Sequence, residues 1–424
     1  MKLKGKNKSG ALKEKGNESA AQTRVLPATS SITRSSVAKT RTFSATSSFT
    51  RSSVPSFKAE RKKMGDVTFL AAVILLAAIG LVFIYSASSY SAQKTYGDSF
   101  YFVKKQAIGL ALGGTAMLFT CFFDYEKLKK ISVPLSVISV ILLALVFVPK
   151  IGVENYGAKR WIGLGAFTLQ PSEIAKLSLI IFAASYFSAD MSRAEKFTGI
   201  LPVLVYGLIL CGLIIAEPNM SITVCVALLC FTMLFAAGMK IKHCVFLIIP
   251  AIIAGVALMV LEPYRLKRFT AFLNPWSDPK GEGYQLLQSL YALGSGGWFG
   301  VGLFSSRQKY AFLPFAESDF IISVIGEETG FVGLALFLAI AAFIIYRGVR
   351  AAARAKDEFG FMTALGITMI FGIQTLVNVL VVTGSIPPTG LSMPLVSSGN
   401  TSIIVFMAEA GIVYNVSAKG SLTF

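Results

Sequence analysis

Residues Val67 to Ser86 read VTFLAAVILLAAIGLVFIYS, an uncharged stretch long enough to cross a hydrocarbon core of about 30 Å as a helix. Nine further runs share its character: Gln106 to Phe123, Ile131 to Val148, Pro171 to Phe187, Ile200 to Ala216, Ser221 to Ala237, Val245 to Leu261, Asp319 to Tyr346, Phe361 to Val382 and Thr401 to Val416. None alternates polar and apolar residues as a barrel strand would, so helices are the only reading. With 54% hydrophobic and 15% charged residues over 424 positions, the chain cannot hide its apolar content in one soluble core. An all-α integral membrane protein with about ten transmembrane helices is expected. The fourth run is the least apolar, because it carries Glu173 and Lys176.

Between the seventh and eighth runs lies a long polar segment, Tyr264 to Ser318, rich in Gly, aromatic and basic residues. So long an outer loop leading into a carboxylate, Asp319, marks a place where something anionic is handled. Orientation follows from the basic residues. With the N-terminus inside, the inner loops hold Lys127, Lys129 and Lys130, then Arg193 and Lys196, Lys240 and Lys242, and Arg347, Arg350, Arg354 and Lys356. Outer loops are basic as well, so the arm before the first run decides. Residues 1–63 contain 15 Lys/Arg against three Glu, so +12 of the formal +18 precedes the first crossing. This Ser/Thr-rich arm repeats Thr33-Arg34-Ser35-Ser36-Val37 as Thr50-Arg51-Ser52-Ser53-Val54 and cannot bury enough apolar area to offset chain entropy. It is expected to be a disordered cytoplasmic arm touching anionic lipids, with a docking role for a cytoplasmic partner as the other reading. Few rings are available to stack on bases, and nucleic-acid binding is not expected. Residues 64–424 form the membrane domain, with both termini inside.

Cys121, Cys211, Cys225, Cys230 and Cys244 fall in or at the ends of the runs without zinc-ligand spacing, so neither disulfide nor zinc is expected. His243 is the only histidine and sits in an inner loop, which leaves outer-face acid/base chemistry to carboxylates.

Three constellations carry candidate chemistry. The first is Arg160-Trp161 with Gln170-Pro171-Ser172-Glu173 and Lys176, where Pro171 is suited to open a helix and Glu173 and Lys176 share a face. This pair reads either as a salt bridge that lets the helix enter the membrane or as one wall of a polar cleft. The second comprises Arg265, Lys267 and Arg268, with Gly294 to Gly302. Those glycines are a weak phosphate signal, since no strand and crossover helix frame them. Trp161, Trp276 and Trp298 all fall on the outer face, as interfacial anchors or stacking platforms. The third is Asp319, which local features also allow as a helix cap, followed by Glu327 and Glu328 about 12 Å further along the run. Buried there, the Glu pair must contact Lys104, Lys105 or Lys176, or line a water-filled pocket.

Together with Gly157 to Trp161, Gly281 to Leu293, Ser306-Arg307-Gln308-Lys309-Tyr310, Leu313-Pro314, Ile325 to Glu328, Pro387 to Leu391 and Pro394 to Ser397, these motifs resemble the SEDS (shape, elongation, division and sporulation) family over about residues 66–416. The run Ser306 to Tyr310 is most similar to its FtsW and SpoVE branch.

The resemblance implies a peptidoglycan glycosyltransferase of the bacterial plasma membrane. Such an enzyme polymerises lipid II, the undecaprenyl-pyrophosphate-linked disaccharide-pentapeptide, into β-1,4-linked strands at the outer face, in complex with a class B penicillin-binding transpeptidase. The branch points to cell division and to other divisome proteins as partners. The family's catalytic aspartate matches Asp319. Substrate-binding candidates are Arg160, Trp161, Gln170, Glu173, Lys176, Arg265, Arg268, Arg307, Lys309, Glu327, Glu328 and Ser397; the two Glu-containing pairs could also position a divalent cation, though no metal ligand is assigned. Departures from the family pattern are Asn219 for aspartate, Phe304 for glycine, Phe315 for glutamate, Glu317-Ser318 for His-Thr, and Ser398 and Asn400 for Tyr and Gly. A lipid II flippase would share the cavity without needing a base at Asp319, and a non-catalytic division scaffold would need neither.

Overall fold

The computed structural model describes residues 64–155, 158–165, 167–261 and 263–420. The basic arm and the repeat within it lie outside these residues. Twelve α-helices run in order: α1 Val67–Tyr96, α2 Tyr101–Phe122, α3 Ser132–Leu145, α4 Pro171–Phe187, α5 Phe197–Ala216, α6 Met220–Ala236, α7 Ile241–Val260, α8 Pro263–Leu273, α9 Tyr284–Gly296, α10 Ile321–Ala353, α11 Glu358–Val382 and α12 Asn400–Lys419. Each of the ten apolar runs is occupied by one helix. Six segments are long and apolar enough to cross a membrane: Val67–Tyr96, Tyr125–Leu145, Phe197–Ala216, Ile321–Ala353, Glu358–Val382 and Asn400–Lys419; Met220–Ala236 and Ile241–Ala257 are shorter apolar helices. The chain is therefore a multi-pass membrane protein.

Local chemistry sets the helix ends. The Asp66 carboxylate accepts the Phe69 amide at 3.0 Å and so caps α1, whose other end stops at Gly97 in a left-handed turn with φ 73°. Pro171 opens α4 at its first turn, where the missing N–H costs nothing. The Asn219 side chain caps α6 by accepting the Ile222 amide at 3.4 Å. An asparagine thus supplies the capping acceptor without a charge.

Helix α4, which carries Glu173 and Lys176, is the most enclosed. Along α4, Ser172, Glu173, Ala175, Lys176, Ser178 and Leu179 are all buried, because α3, α5, α6, α11 and α12 pack around it. A helix that meets protein rather than acyl chains can carry polar residues, which explains its weak hydropathy. Lipid-facing helices show the converse, with Phe119, Phe122, Ile141, Leu208 and Ile252 exposed.

The ends of the first and last helices meet. The Asp66 amide donates to the Ser417 hydroxyl at 2.8 Å, and Arg347 near the end of α10 holds the Asp66 carboxylate at 2.6 and 2.7 Å. The face opposite Asp319 therefore carries the start of α1 together with the ends of α10 and α12.

Two features differ from the expectation that helices alone build the chain. Between α3 and α4 a small antiparallel sheet forms, β1 Gly152–Asn155, β2 Ala158–Leu164 and β3 Phe167–Leu169, in the order β1-β2-β3. Its strands are too short to register as a periodic pattern. The polar segment before Asp319, expected as a loop, also contains two helices, α8 and α9. Within it, α9 packs on α10 and α11, with the Ser289 hydroxyl bonded to Ser323 Oγ and to the Val382 carbonyl, each at 2.7 Å.

Gly294 to Gly302 also turn out to be packing residues. Helix α10 breaks at Gly330, where φ is 67° and ψ −170°. The break frees backbone groups that the loop then satisfies: Val301 and Gly302 donate to the Glu327 and Glu328 carbonyls at 3.0 and 3.1 Å, while Phe331 and Val332 donate to Gly297 and Trp298 at 2.9 and 3.1 Å. A Cβ on Gly330 would lie 2.3 Å from the Gly300 nitrogen, and one on Gly300 would lie 2.1 Å from the Glu328 oxygen. Absence of side chains here permits backbone contact within the protein.

Candidate active site

Asp319 sits in the turn immediately before α10, half-buried. The segment Phe315 to Asp319 is laced to the chain between α11 and α12. Ser397 donates to the Ser318 carbonyl and accepts the Met393 amide at 2.8 Å. The Ser398 amide donates to Glu317 O at 2.9 Å. From α11, the Asn378 amide nitrogen donates to the carbonyls of Asp319 and Leu391 at 3.0 and 2.5 Å. Gly390, with φ 67°, passes so close to the carboxylate that a Cβ there would lie 3.3 Å from Asp319 Oδ2. The Pro387-Pro388-Thr389-Gly390 stretch thus needs its glycine both for the left-handed turn and for the approach.

Two guanidinium groups act on this carboxylate from separate elements. Arg160 on β2 donates to Pro218 O at 2.6 Å, and Arg268 on α8 donates to Pro388 O at 3.4 Å and pairs with Glu282 at 3.8 Å. Burial pushes the Asp319 carboxyl up to about 6; the Ser318 hydroxyl and the charges of Arg160 and Arg268 act in the opposite direction. The neighbouring Glu317 carboxyl is raised too, chiefly by burial and further by the charge of Asp319. The result is a carboxylate that is ionised at neutral pH, basic enough to take a proton, and flanked by fixed positive charge.

The remaining candidates fall into separate groups. Glu173 and Lys176 are buried and paired at 2.8 Å inside the bundle, with the Lys176 ammonium 5.3 Å from the Phe406 ring centroid. Gln170 ties the start of α4 to α12 through its amide, which donates to Thr401 Oγ1 at 3.1 Å. Trp161 stands opposite Val153 in the sheet. The Arg265 side chain lies outside the described residues.

Glu327 and Glu328 do not meet Lys104, Lys105 or Lys176, and they do not line an open pocket. Lys104 pairs with Asp98 at 2.8 Å, and Lys105 lies over the Tyr101 ring. The Glu pair instead grips the loop that follows Gly302. Glu327 accepts the Ser306 hydroxyl and the amides of Arg307 and Gln308, at 2.9 and 3.4 Å for the amides. Glu328 accepts the Ser86 hydroxyl at 2.5 Å and the Ser306 amide at 3.1 Å, and pairs with buried Lys309 at 3.6 Å. Lys309 also donates to the Phe304 carbonyl, and Phe304 itself has φ 61°, a left-handed backbone shape that favours glycine. Arg307 remains exposed. Both Glu327 oxygens and Glu328 Oε1 are taken by protein donors while Glu328 Oε2 has no hydrogen-bond partner among the described residues, and among those residues no three His, Cys, Asp or Glu side chains converge as metal ligands. Positioning of a divalent cation by either Glu-containing pair finds no geometric support.

Two residues at the site, Asn378 and Glu217, were not signalled by the sequence, and Gly390 was signalled only as part of the Pro387 to Leu391 motif. Asn378 reads as an isolated polar residue in an apolar helix, and Gly390 as an ordinary turn glycine. Glu217, buried beside Arg160 with both carboxylate oxygens lacking a hydrogen-bond partner among the described residues, stands in a short polar turn between two apolar runs. An unpaired acid at the end of a membrane helix is the one local signal that could have drawn attention to it.

The sequence model of the FtsW, RodA and SpoVE family, described as "Cell cycle protein", matches residues 66–422. Stage V sporulation protein E of Bacillus subtilis (strain 168) is 40% identical over 360 residues, covering 84% of this chain and 98% of that protein. A probable peptidoglycan glycosyltransferase FtsW of Trichlorobacter lovleyi is 42% identical over 357 residues, covering 83% of this chain and 93% of its own length. Among solved structures, a chain of a peptidoglycan synthase complex described as coordinating polymerization and crosslinking superposes with a TM-score of 0.70 at 29% identity, covering 83% of this chain and 97% of that one. The rod shape determining protein RodA of Thermus thermophilus superposes with a TM-score of 0.62 at 25% identity, covering 83% of this chain and 96% of that one.

Proposed function

The chain belongs to the FtsW, RodA and SpoVE family of cell cycle proteins, and from that membership we infer that it is a peptidoglycan glycosyltransferase in which Asp319 is the general base. The observation that supports the assignment is the Asp319 turn, tied down by Asn378 and Ser397, whose carboxyl burial raises to about 6 and on which the charges of Arg160 and Arg268 act. A base in that range takes up a proton in the transition state while remaining ionised at rest.

In this reading the Asp319 carboxylate accepts the proton of the acceptor sugar's 4-hydroxyl as that oxygen attacks the lipid-linked anomeric carbon. The bond from that carbon to the diphosphate breaks on the opposite face, which inverts the centre and gives a β-1,4 linkage. Arg160 and Arg268 oppose the negative charge growing on the departing diphosphate, as preorganised cations do at other phosphate sites. Glu173 and Lys176 brace the helix behind the site, and Glu327, Glu328 and Lys309 hold the loop in front of it. Arg265 and Arg307 are further candidates for contact with the lipid diphosphate by charge.

The substrate is lipid II, and the reaction takes place at the outer face of the bacterial plasma membrane, with about ten crossings and with the face carrying Asp66 and Ser417 toward the cytoplasm. A class B penicillin-binding transpeptidase is the expected partner; the peptidoglycan synthase complex among the similar structures supports that reading. The branch similarity favours service in cell division with other divisome proteins. A flippase or a scaffold would have no use for a base flanked by two guanidinium groups.

The test is polymerisation of purified lipid II by the full chain with its transpeptidase partner. Asp319→Asn should abolish glycan polymer while the protein stays folded and partner-bound. Polymer formed by that variant at the normal rate would reject the assignment.

A further inference from the structure

The turn between α5 and α6 borders the candidate site on two threads. Pro218 accepts Arg160, whose charge also reaches Asp319, and Ser221 donates to the carbonyl of Thr389, the residue before Gly390. Glu217 lies at the start of this turn and is 1% exposed. Neither of its carboxylate oxygens has a hydrogen-bond partner among the described residues, and the Thr389 hydroxyl is likewise buried without one.

Orphaned buried polar atoms of this kind cost stability and persist where something outside the chain completes them. Two acidic or hydroxylic groups on facing segments beside Arg160 and Asp319 form such a place. Burial pushes the Glu217 carboxyl up to about 8, against the pull of Arg160, so at neutral pH the group is largely protonated. A neutral carboxyl offers one donor and one acceptor. That pattern matches a sugar hydroxyl or an acetamido group and does not match a diphosphate, which the arginines suit better.

Building on the glycosyltransferase reading, we propose that Glu217 and Thr389, on the two segments that the Ser221–Thr389 bond joins, are carbohydrate-contacting groups that recognise the uncharged sugar of the lipid-linked substrate while Arg160 and Arg268 take its diphosphate. Recognition is thereby divided by chemistry: neutral hydrogen-bonding groups read the sugar, and guanidinium groups read the charge. A site built to hydrogen-bond a hydroxyl discriminates strongly against a ligand lacking it, because its own polar groups are then left unpaired.

The test compares binding of two lipids to the full chain: lipid II, and undecaprenyl diphosphate, which lacks the sugars. Glu217→Met replaces the carboxyl by an apolar group of similar size, and Glu217→Gln keeps neutral hydrogen bonding. For Glu217→Met we expect an unchanged or raised Tm, because an unsatisfied buried group has been removed, together with a Kd for lipid II at least about tenfold weaker and an unchanged Kd for undecaprenyl diphosphate. Glu217→Gln should stay within about threefold of wild type for both lipids. A merely structural role would lower Tm and weaken both lipids together, and that result overturns the proposal. Unchanged lipid II affinity in Glu217→Met overturns it alone, whereas wild-type protein that binds neither lipid rejects the glycosyltransferase reading and this assignment with it.

Discussion

The side-chain amide of Asn378 bonds the main-chain carbonyl of Asp319 at 3.0 Å and that of Leu391 at 2.5 Å, so one buried group on α11 fixes two walls of the candidate site. Neither carbonyl belongs to a helix ladder that could replace the lost donor. Asn378→Ala should therefore cost about 1–3 kcal/mol of stability and let the Asp319 turn shift. Displacement of a base by about 1 Å costs up to roughly a hundredfold in rate. Polymerisation assays should show a fall in turnover of that order with near-normal lipid II affinity; undiminished turnover would remove the positioning role.

The ionisation of Asp319 sets the pH profile. The carboxyl must be charged to accept a proton, and burial raises it to about 6. Turnover should be flat above that pH and fall about tenfold per unit below it. Loss of positive charge in Arg268→Gln should raise the carboxyl's pKa and move the acid limb to higher pH, because Arg268 favours the ionised form. An acid limb that stays in place in Arg268→Gln would show that the two groups are not coupled.

Gly330 and Gly300 are expected to tolerate no side chain. Gly330→Ala combines a φ of 67° with a contact of 2.3 Å to the Gly300 nitrogen. The penalty should be about 2–4 kcal/mol, summing a left-handed backbone and local overpacking. Thermal unfolding in detergent gives the magnitude, and faster amide exchange at Val301 and Gly302 would locate it. Wild-type exchange in the variant would show that the docked loop does not depend on the break.

Glu328 and Lys309 form a buried ion pair, so breaking it from one side leaves an uncompensated charge. Glu328→Gln should destabilise by about 3–5 kcal/mol, whereas Glu328→Gln with Lys309→Met should recover much of that loss. Thermal unfolding of the single and double variants settles the matter. If the double variant is no more stable than the single one, the charge pair is not what holds the loop.

Much of this molecule was written in its local sequence. Apolar runs of membrane length marked a multi-pass helical protein, and Pro171 marked the start of α4 because a first-turn proline suits a helix opening. Asp319 stood out as a carboxylate at the edge of a long apolar run, and its motif context tied it to a family. Local sequence could not tell what Glu327 and Glu328 face, because hydropathy encodes an environment and not a partner. The same gap hid the role of the glycines between Gly294 and Gly302.

What the sequence determined by itself was membrane class, helix positions and the place of the Asp319 carboxylate at the edge of an apolar run, since each depends on the affinity of nearby residues for lipid or for a helix end. Only the tertiary structure decided which charges work on Asp319 and which serve the scaffold. Arg160, Arg268, Asn378 and Gly390 come from four elements far apart along the chain, and their convergence depends on how the helices pack and where α10 breaks. Orientation and distance, which set electrostatic coupling and hydrogen bonding, exist only once those elements are assembled.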